Sequence, residues 1–262
     1  MWKQTKQGER GRPRLFSDLP ITTALIVKRV FSMPLRGLQG FINSIFKLAL
    51  LPLSYPHYSC ISKRARTVNA AFKTKTKGTI QHLALDATGL KVYGEVKKHG
   101  CDGKRRIWRK LHLAVDTNTH EIIAAELSLL NVIAGQAILN LLRQTRRKIM
   151  EISGDGAYDT RLCCEAIRIK QAVPLISPRE GAAFWERGHP PNLAVVCQKL
   201  YGSNKHWKKK YGYHKRSPSE TAMFSVKKLL GSTLSLRNDN AQVGETYAMI
   251  KALNKHHRTR YA

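Results

Sequence analysis

The chain reads as an α/β protein, a mixed-sheet domain preceded by a small helical region, on three observations. Apolar residues recur at helical spacing up to about residue 70, alternation at period two begins near Thr79, and beyond it strand-like runs give way to alternating helical and strand patterns. At 262 residues the chain holds one sizeable core and a smaller accessory region. The expected division is 1–72 for a basic N-terminal arm with the helices, and 73–262 for the sheet domain, which carries an insertion before its last acidic residue, Glu220.

Residues 1–16 are basic and include GRPR at Gly11–Arg14, which suits either an arm lying along a polyanion or a plain tail. Asp18 as N-cap, with Pro20 just inside, predicts a first helix to about Ser32 that carries Lys28 and Arg29 on its outer flank. Pro34 opens a second helix to about Leu51, with Leu38, Phe41, Ile45 and Leu48 on one stripe. The run SCISKRARTVN predicts a third helix that exposes Lys63, Arg64 and Arg66. Three helices ending in a basic one fit a helix-turn-helix-like reader of double-stranded DNA, and equally a plain bundle with a solvated basic face. KTKTKG, Lys73–Gly78, reads as a linker.

TIQHLALDATGLKVYG is a strand signal, and RRIWRKLHLAVD with THEIIAAELSLL, joined through Thr117-Asn118-Thr119, predicts an antiparallel hairpin. Alternation places Leu111, Leu113 and Val115 on one face of that hairpin and Trp108, Lys110 and His112 on the other. The second set is a candidate DNA-contacting face, or a face with a tryptophan partly covered by a helix. A helix over AGQAILNLLRQTRR follows, then the strand KIMEISGD ending at Asp155, a helix from Thr160 capped by Asp159, and the strand AVPLISPR. After an insertion comes a helix bearing Glu220, and last a helical pattern in which Glu245 reads as a surface acid. Three antiparallel strands, helix, strand, helix, strand and a late helix is the order of a ribonuclease H-like domain.

Composition narrows the partner. Lys and Arg number 46 against 17 Asp and Glu, a formal net charge of +29, which favours a polyanion such as double-stranded DNA, with a membrane surface as the rival. The longest apolar stretch, Phe41–Tyr55, contains Lys47 and Pro52 and is too short to span a bilayer, so it predicts a buried helix. The polar start lacks a signal peptide, and an intracellular, cytoplasmic protein with no membrane partner is expected. Five cysteines without a CxxC pair argue against a disulfide framework or a zinc ribbon.

Within this carboxylate-poor chain, Asp86 in LALDATG, Asp155 in GDGAYD and Glu220 in YHKRSPSETAMFSVKK stand in defined contexts. Two-metal phosphodiester chemistry needs hard oxygen ligands, which makes these three the candidate catalytic and metal-binding residues, with Mg²⁺ as the ion, Mn²⁺ as a substitute, and two ions per site. The order Y-x2-R-x3-E-x6-K adds Tyr213, Arg216 and Lys227 as supporting, phosphate-gripping groups. Ser217-Pro218-Ser219-Glu220 also has the form of a capping box, which competes for the same carboxylate. Trp207, Lys208, Lys209 and Lys210, running on to Tyr211 and Tyr213, mix charge with rings in the way that backbone contact and base stacking require.

GYHKRSPSETAMFSVKKLLG, LALDATGLKVYGE, RRIWRKLHLAVD, GDGAYD, GSNKHWKKKYGYHKR and FSDLPITTALIVKRVFSMPLRGLQGF together resemble the insertion-sequence-five family of bacterial DDE transposases. The resemblance runs through most of the chain. It implies that Asp86, Asp155 and Glu220 bind divalent metal and that Tyr213, Arg216 and Lys227 support the site and grip DNA. It further implies cutting at terminal inverted repeats, joining of 3′-OH ends to target DNA, a homo-oligomer on DNA, and no small-molecule substrate. Two departures stand out: Leu127–Gln136 has no acid where the family shows one, and the N-terminus is shorter than the family leads one to expect. Both are features of a decaying copy, so impaired activity, or DNA binding without chemistry, is the alternative expectation. A ribonuclease H-like nuclease outside transposition is a further alternative.

Overall fold

A computed structural model describes residues 15–68, 77–98, 104–179, 181–185 and 191–260. The GRPR arm and most of the KTKTKG linker lie outside them. The chain divides into two compact units, one of Met1–Phe72, Lys91–Ile107 and Val226–Ala262, the other of Lys73–Leu90 and Trp108–Ser225.

In the first unit, α1 (Asp18–Val30), α2 (Leu35–Leu48) and α3 (Tyr58–Arg64) form a core with α9 (Asp239–Arg260). Ile21, Leu25, Leu38, Ile61 and Ala248 are fully buried there. Ser17, not Asp18, is the extended residue before α1, and the Asp18 carboxylate instead pairs with Arg64. The apolar stretch expected to be buried is only partly so. Leu38 and Ile42 face the core, while Leu48 and Leu50 are 88% and 89% exposed, because α2 ends at Leu48 and Leu50 adopts a left-handed φ of 50°. Among the described residues no helix is long and apolar enough to cross a membrane.

Glu245 corrects a second expectation. It lies fully buried on α9, where Oε1 pairs with Lys28 Nζ at 3.4 Å and Arg29 Nη1 at 3.2 Å. Its Oε2 accepts the Ser235 and Leu236 N–H groups at 2.9 and 3.0 Å. A buried carboxylate requires such partners. Lys28 and Arg29, read as an outer flank, are correspondingly drawn inside. Burial lowers the pKa of both, opposed by the Glu245 charge. The far part of β1 (Ile80–Lys98) pairs in parallel with β6 (Thr233–Leu234) through Lys91↔Thr233 and Val92↔Leu234.

The sheet order is β3-β2-β1-β4-β5, with β2 over Lys104–Asp116, β3 over Ile122–Leu129, β4 over Ile149–Gly154 and β5 over Val173–Ile176. β2 and β3 are antiparallel, whereas β1–β4 and β4–β5 are parallel, so the sheet is mixed and has the ribonuclease H-like order. The β2–β3 hairpin turns at 117–119 as its Thr-Asn-Thr predicts. In the second unit α4 (Ala134–Gln144) and α5 (Arg161–Ile169) cover one face, burying Ile138, Leu141, Cys163 and Ile167 against Ile80, Leu83 and Ile152. Thr160 caps α5 by accepting the Cys163 N–H, so the expected cap, Asp159, is released for another bond. Burial raises the pKa of the Cys163 thiol, and that of Cys164 to about 12. Leu129 at the end of β3, and Leu130 and Ile133 between β3 and α4, all in the acid-free stretch, are solvent-exposed.

Candidate active site

Sheet register brings the two aspartates together. Ile80 pairs with Ile149, His82 with Glu151 and Ala84 with Ser153. Two residues beyond that last pair, at the same offset along the two strands, stand Asp86 and Asp155. Parallel pairing thus sets Asp86, within the long β1, level with Asp155, just past the C-terminal end of β4, the kind of strand end at which open α/β sheets place their ligands.

The turn after β4 holds Asp155 from several sides. Its Oδ1 accepts the Ala157 N–H at 3.0 Å and so caps a 3₁₀ turn over Gly156–Tyr158. Behind it, the Gly154 carbonyl accepts the Tyr213 hydroxyl at 2.9 Å. Asp86 is likewise anchored, since its Oδ1 accepts the Ala87 N–H at 2.9 Å.

Arg216 links the third acid to this pair. It ends a 3₁₀ turn over Tyr213–Arg216 that leads directly into α8 (Ser217–Leu230), and Ser217 is already helical, with φ −47° and ψ −35°. A residue with helical dihedrals is not an N-cap. The capping-box reading of Ser217 and Glu220 therefore gives way, and the Glu220 carboxylate instead lies 3.4 Å from Arg216 Nη2, which is also 3.7 Å from Asp86 Oδ1. Arg216 Nη1 donates to the Tyr213 hydroxyl at 2.9 Å. Lys227 lies exposed further along α8, seven residues after Glu220.

The electrostatics follow from this layout. Burial raises the Asp86 pKa, and the Asp155 and Glu220 charges push it further up, while the Ala87 N–H and Arg216 pull it down. Burial works against the Arg216 charge too, but its bond to Tyr213 and the Asp86 and Glu220 charges outweigh that and hold it fully cationic. Among the described residues no three His, Cys, Asp or Glu side chains converge closely enough to enclose an ion. In donor chemistry the set nevertheless fits a divalent cation. It consists of hard carboxylate oxygens, the like charges around Asp86 favour a positive ion, and the recorded bonds of Asp86 and Asp155 use Oδ1, leaving Oδ2 of each to ligate.

The expected DNA-contacting residues divide. Lys63 and Arg66 are exposed in or just beyond α3. Arg64 is turned back onto the Phe16 and Ser17 carbonyls and Asp18, which ties α3 to the start of α1 and removes it from a groove-reading set. On β2, Lys110 is half-buried and the Trp108 ring lies over Gly89, but His112 is fully buried, 3.2 Å from the Tyr158 hydroxyl. His112 belongs to the core because α4 and α5 cover that face of the strand. In α7 (Lys205–Lys210), which follows α6 (Pro191–Tyr201), Trp207 is buried with Ala194 and Tyr213 and is a packing residue rather than a stacking platform. Lys209 and Lys210 remain exposed, and Lys208 lies over the Tyr213 ring at 5.2 Å. Helical alternation puts a tryptophan among lysines on the inward side.

One residue passed over in the sequence stands out. Arg179, just beyond β5, donates Nε to the Gly156 carbonyl at 2.7 Å and Nη2 to the Ala157 carbonyl at 3.2 Å, and its own N–H goes to Asp159 Oδ2 at 3.0 Å. The available signal was its place after a parallel strand neighbouring β4, at the sheet end that carries Asp155.

Two models of the transposase DDE domain match the chain, over residues 1–95 and 77–255. The chain belongs to the DDE transposases. Looser likenesses extend to solved structures. A piggyBac transposase synaptic complex with hairpin DNA is 11% identical at TM-score 0.43, with 98% of this chain and 70% of that one covered. A Mos1 transposase paired-end complex with the left transposon end is 12% identical at TM-score 0.27, with 97% and 81% covered.

Proposed function

We propose that this transposase binds the terminal inverted repeats of an insertion sequence of the insertion-sequence-five type, cleaves DNA phosphodiester bonds there and joins the freed 3′-OH ends to target DNA. The observation that carries the reading is the convergence of Asp86 and Asp155 on one strand register, with Glu220 linked to them through Arg216.

In this reading Asp86, Asp155 and Glu220 hold the divalent metal, Mg²⁺ with Mn²⁺ as substitute. The bound ions supply charge neutralisation at the scissile phosphate and activation of the attacking oxygen. Arg216, already cationic among the acids, neutralises carboxylate charge and offers guanidinium N–H groups to a phosphate. Tyr213 fixes both Arg216 and the Gly154 carbonyl, and so holds the Asp155 turn against the start of α8. Lys227, Lys110, Lys208, Lys209 and Lys210 grip the DNA backbone, and Lys63 and Arg66 contribute from the helical region. Assembly as a homo-oligomer on paired ends belongs to the same proposal, as does an intracellular site of action.

The test is substitution of each acid. Asp86→Asn, Asp155→Asn and Glu220→Gln keep shape but remove a charged ligand, and each is expected to abolish Mg²⁺-dependent cleavage of element-end DNA while leaving DNA binding nearly intact. Unchanged cleavage in any one variant removes that residue from the site. A second reading, a DNA binder without chemistry, draws on the position of Arg216 between Asp86 and Glu220, and an absence of Mg²⁺- or Mn²⁺-dependent cleavage by the unsubstituted chain favours it.

A further inference from the structure

Arg179 is an exposed arginine whose guanidinium Nε and Nη2 donate to backbone carbonyls. Nε and Nη2 form a fork onto two consecutive carbonyls, Gly156 at 2.7 Å and Ala157 at 3.2 Å. These are the two residues directly after Asp155, and Ala157 is also the residue whose N–H binds the Asp155 carboxylate. The fork therefore closes on the turn that orients that carboxylate. Arg179 is itself anchored: its N–H is held by Asp159 Oδ2 at 3.0 Å and its carbonyl accepts Gln198 Nε2 at 3.4 Å. Just before it, the Pro178 carbonyl accepts Asn204 Nδ2 at 3.3 Å. With Gly154 and Gly156 on either side of Asp155, the backbone there has little stiffness of its own, so the bonds around it set where the carboxylate points.

We propose that Arg179 is a positioning residue for Asp155, clamping the Gly156–Tyr158 turn through its carbonyls while the Tyr213 hydroxyl holds the Gly154 carbonyl before it. This rests on the reading of Asp155 as a metal ligand. Arginine suits the task because a planar fork meets two adjacent carbonyls at once, whereas a lysine ammonium meets them one at a time.

The experiment is Mn²⁺ titration of the full chain by electron paramagnetic resonance without DNA, beside DNA binding by anisotropy at several salt concentrations. The variants are Arg179→Gln, Arg179→Lys, Asp159→Asn and Asp155→Asn. Arg179→Gln is expected to weaken Mn²⁺ binding about 10-fold to 100-fold, the range for loss of a group that orients a ligand, with DNA affinity and salt slope unchanged. Arg179→Lys is expected to recover part of the loss. Should Arg179→Gln fail to fold, Asp159→Asn carries the comparison, with a smaller weakening of the same kind. Wild-type Mn²⁺ affinity in Arg179→Gln, or in Asp159→Asn where that variant stands in, overturns the proposal. So does a loss of DNA affinity and salt slope with Mn²⁺ binding intact, which would make Arg179 a phosphate contact. Wild-type Mn²⁺ affinity in Asp155→Asn overturns the metal reading and this proposal with it, whereas loss in Asp155→Asn but not in Arg179→Gln overturns the Arg179 role alone.

Discussion

Arg216 Nη2 stands 3.7 Å from Asp86 Oδ1 in a half-buried position, and the same nitrogen reaches Glu220 at 3.4 Å. One cation thus serves two acids that repel each other. Replacing Arg216 with Gln is expected to leave that repulsion uncompensated, abolish end cleavage and, because the guanidinium no longer grips phosphate, weaken DNA binding as well. Lysine keeps the charge but cannot hold Tyr213 and two carboxylates together, so Arg216→Lys should recover binding more than cleavage. Equal recovery of both in the lysine variant would show that charge alone matters.

Glu245→Ala should be among the most destabilising single changes in the helical unit. It leaves Lys28 and Arg29 buried without their counter-charge, which typically costs about 3–5 kcal/mol. Urea denaturation followed by circular dichroism measures this. A loss below about 1 kcal/mol, the size of a surface ion pair, would mean that the two cations find water or another acid.

His112 gives the fold a defined acid sensitivity. Burial and the Lys110 charge lower its pKa to about 4, against 6.5 ordinarily. The unfolded chain therefore takes up this proton first as pH falls, and the stability it represents, complete above about pH 6.5, is lost progressively down to about pH 4. His82, also lowered by burial, adds in the same sense. In His112→Gln the urea midpoint should fall less steeply across that window, and an unchanged slope would assign the sensitivity elsewhere.

The elements were legible because their patterns are local. Alternation in LALDATG and in the Trp108–Val115 run places β1 and β2, and the acids stand where those strands and α8 put them. Partners distant in sequence were not legible. Glu245 looks like a surface acid until Lys28, 217 residues earlier, is seen against it, and Arg179 looks like a strand end until the turn 23 residues earlier closes on it. Arg64, His112 and Trp207 each sit close to basic residues in the sequence, yet each side chain has its partners inside the fold. Lys63→Ala is thus expected to affect DNA binding, and Arg64→Ala chiefly the thermal stability of the helical unit.

The two glycines around Asp155 give a paired test of how tightly its turn is built. A methyl group added at Gly154 meets the Tyr158 ring at 3.0 and 3.2 Å, and that ring is fully buried with its hydroxyl 3.2 Å from His112. The ring has no room to retreat, so the backbone must move instead. Overpacking of this kind costs about 1–3 kcal/mol, and a displacement of about 1 Å at a reacting group can cost on the order of a hundredfold in rate. At Gly156 the same methyl finds its nearest neighbours, Arg179 Cγ and the Ser177 carbonyl, at 3.6 Å, an ordinary contact. Gly154→Ala should therefore lower the melting temperature and Mg²⁺-dependent cleavage together, while Gly156→Ala stays near wild type in both. If Gly156→Ala proves the more damaging, the turn owes its shape to backbone freedom at Gly156 rather than to the ring packed behind Gly154.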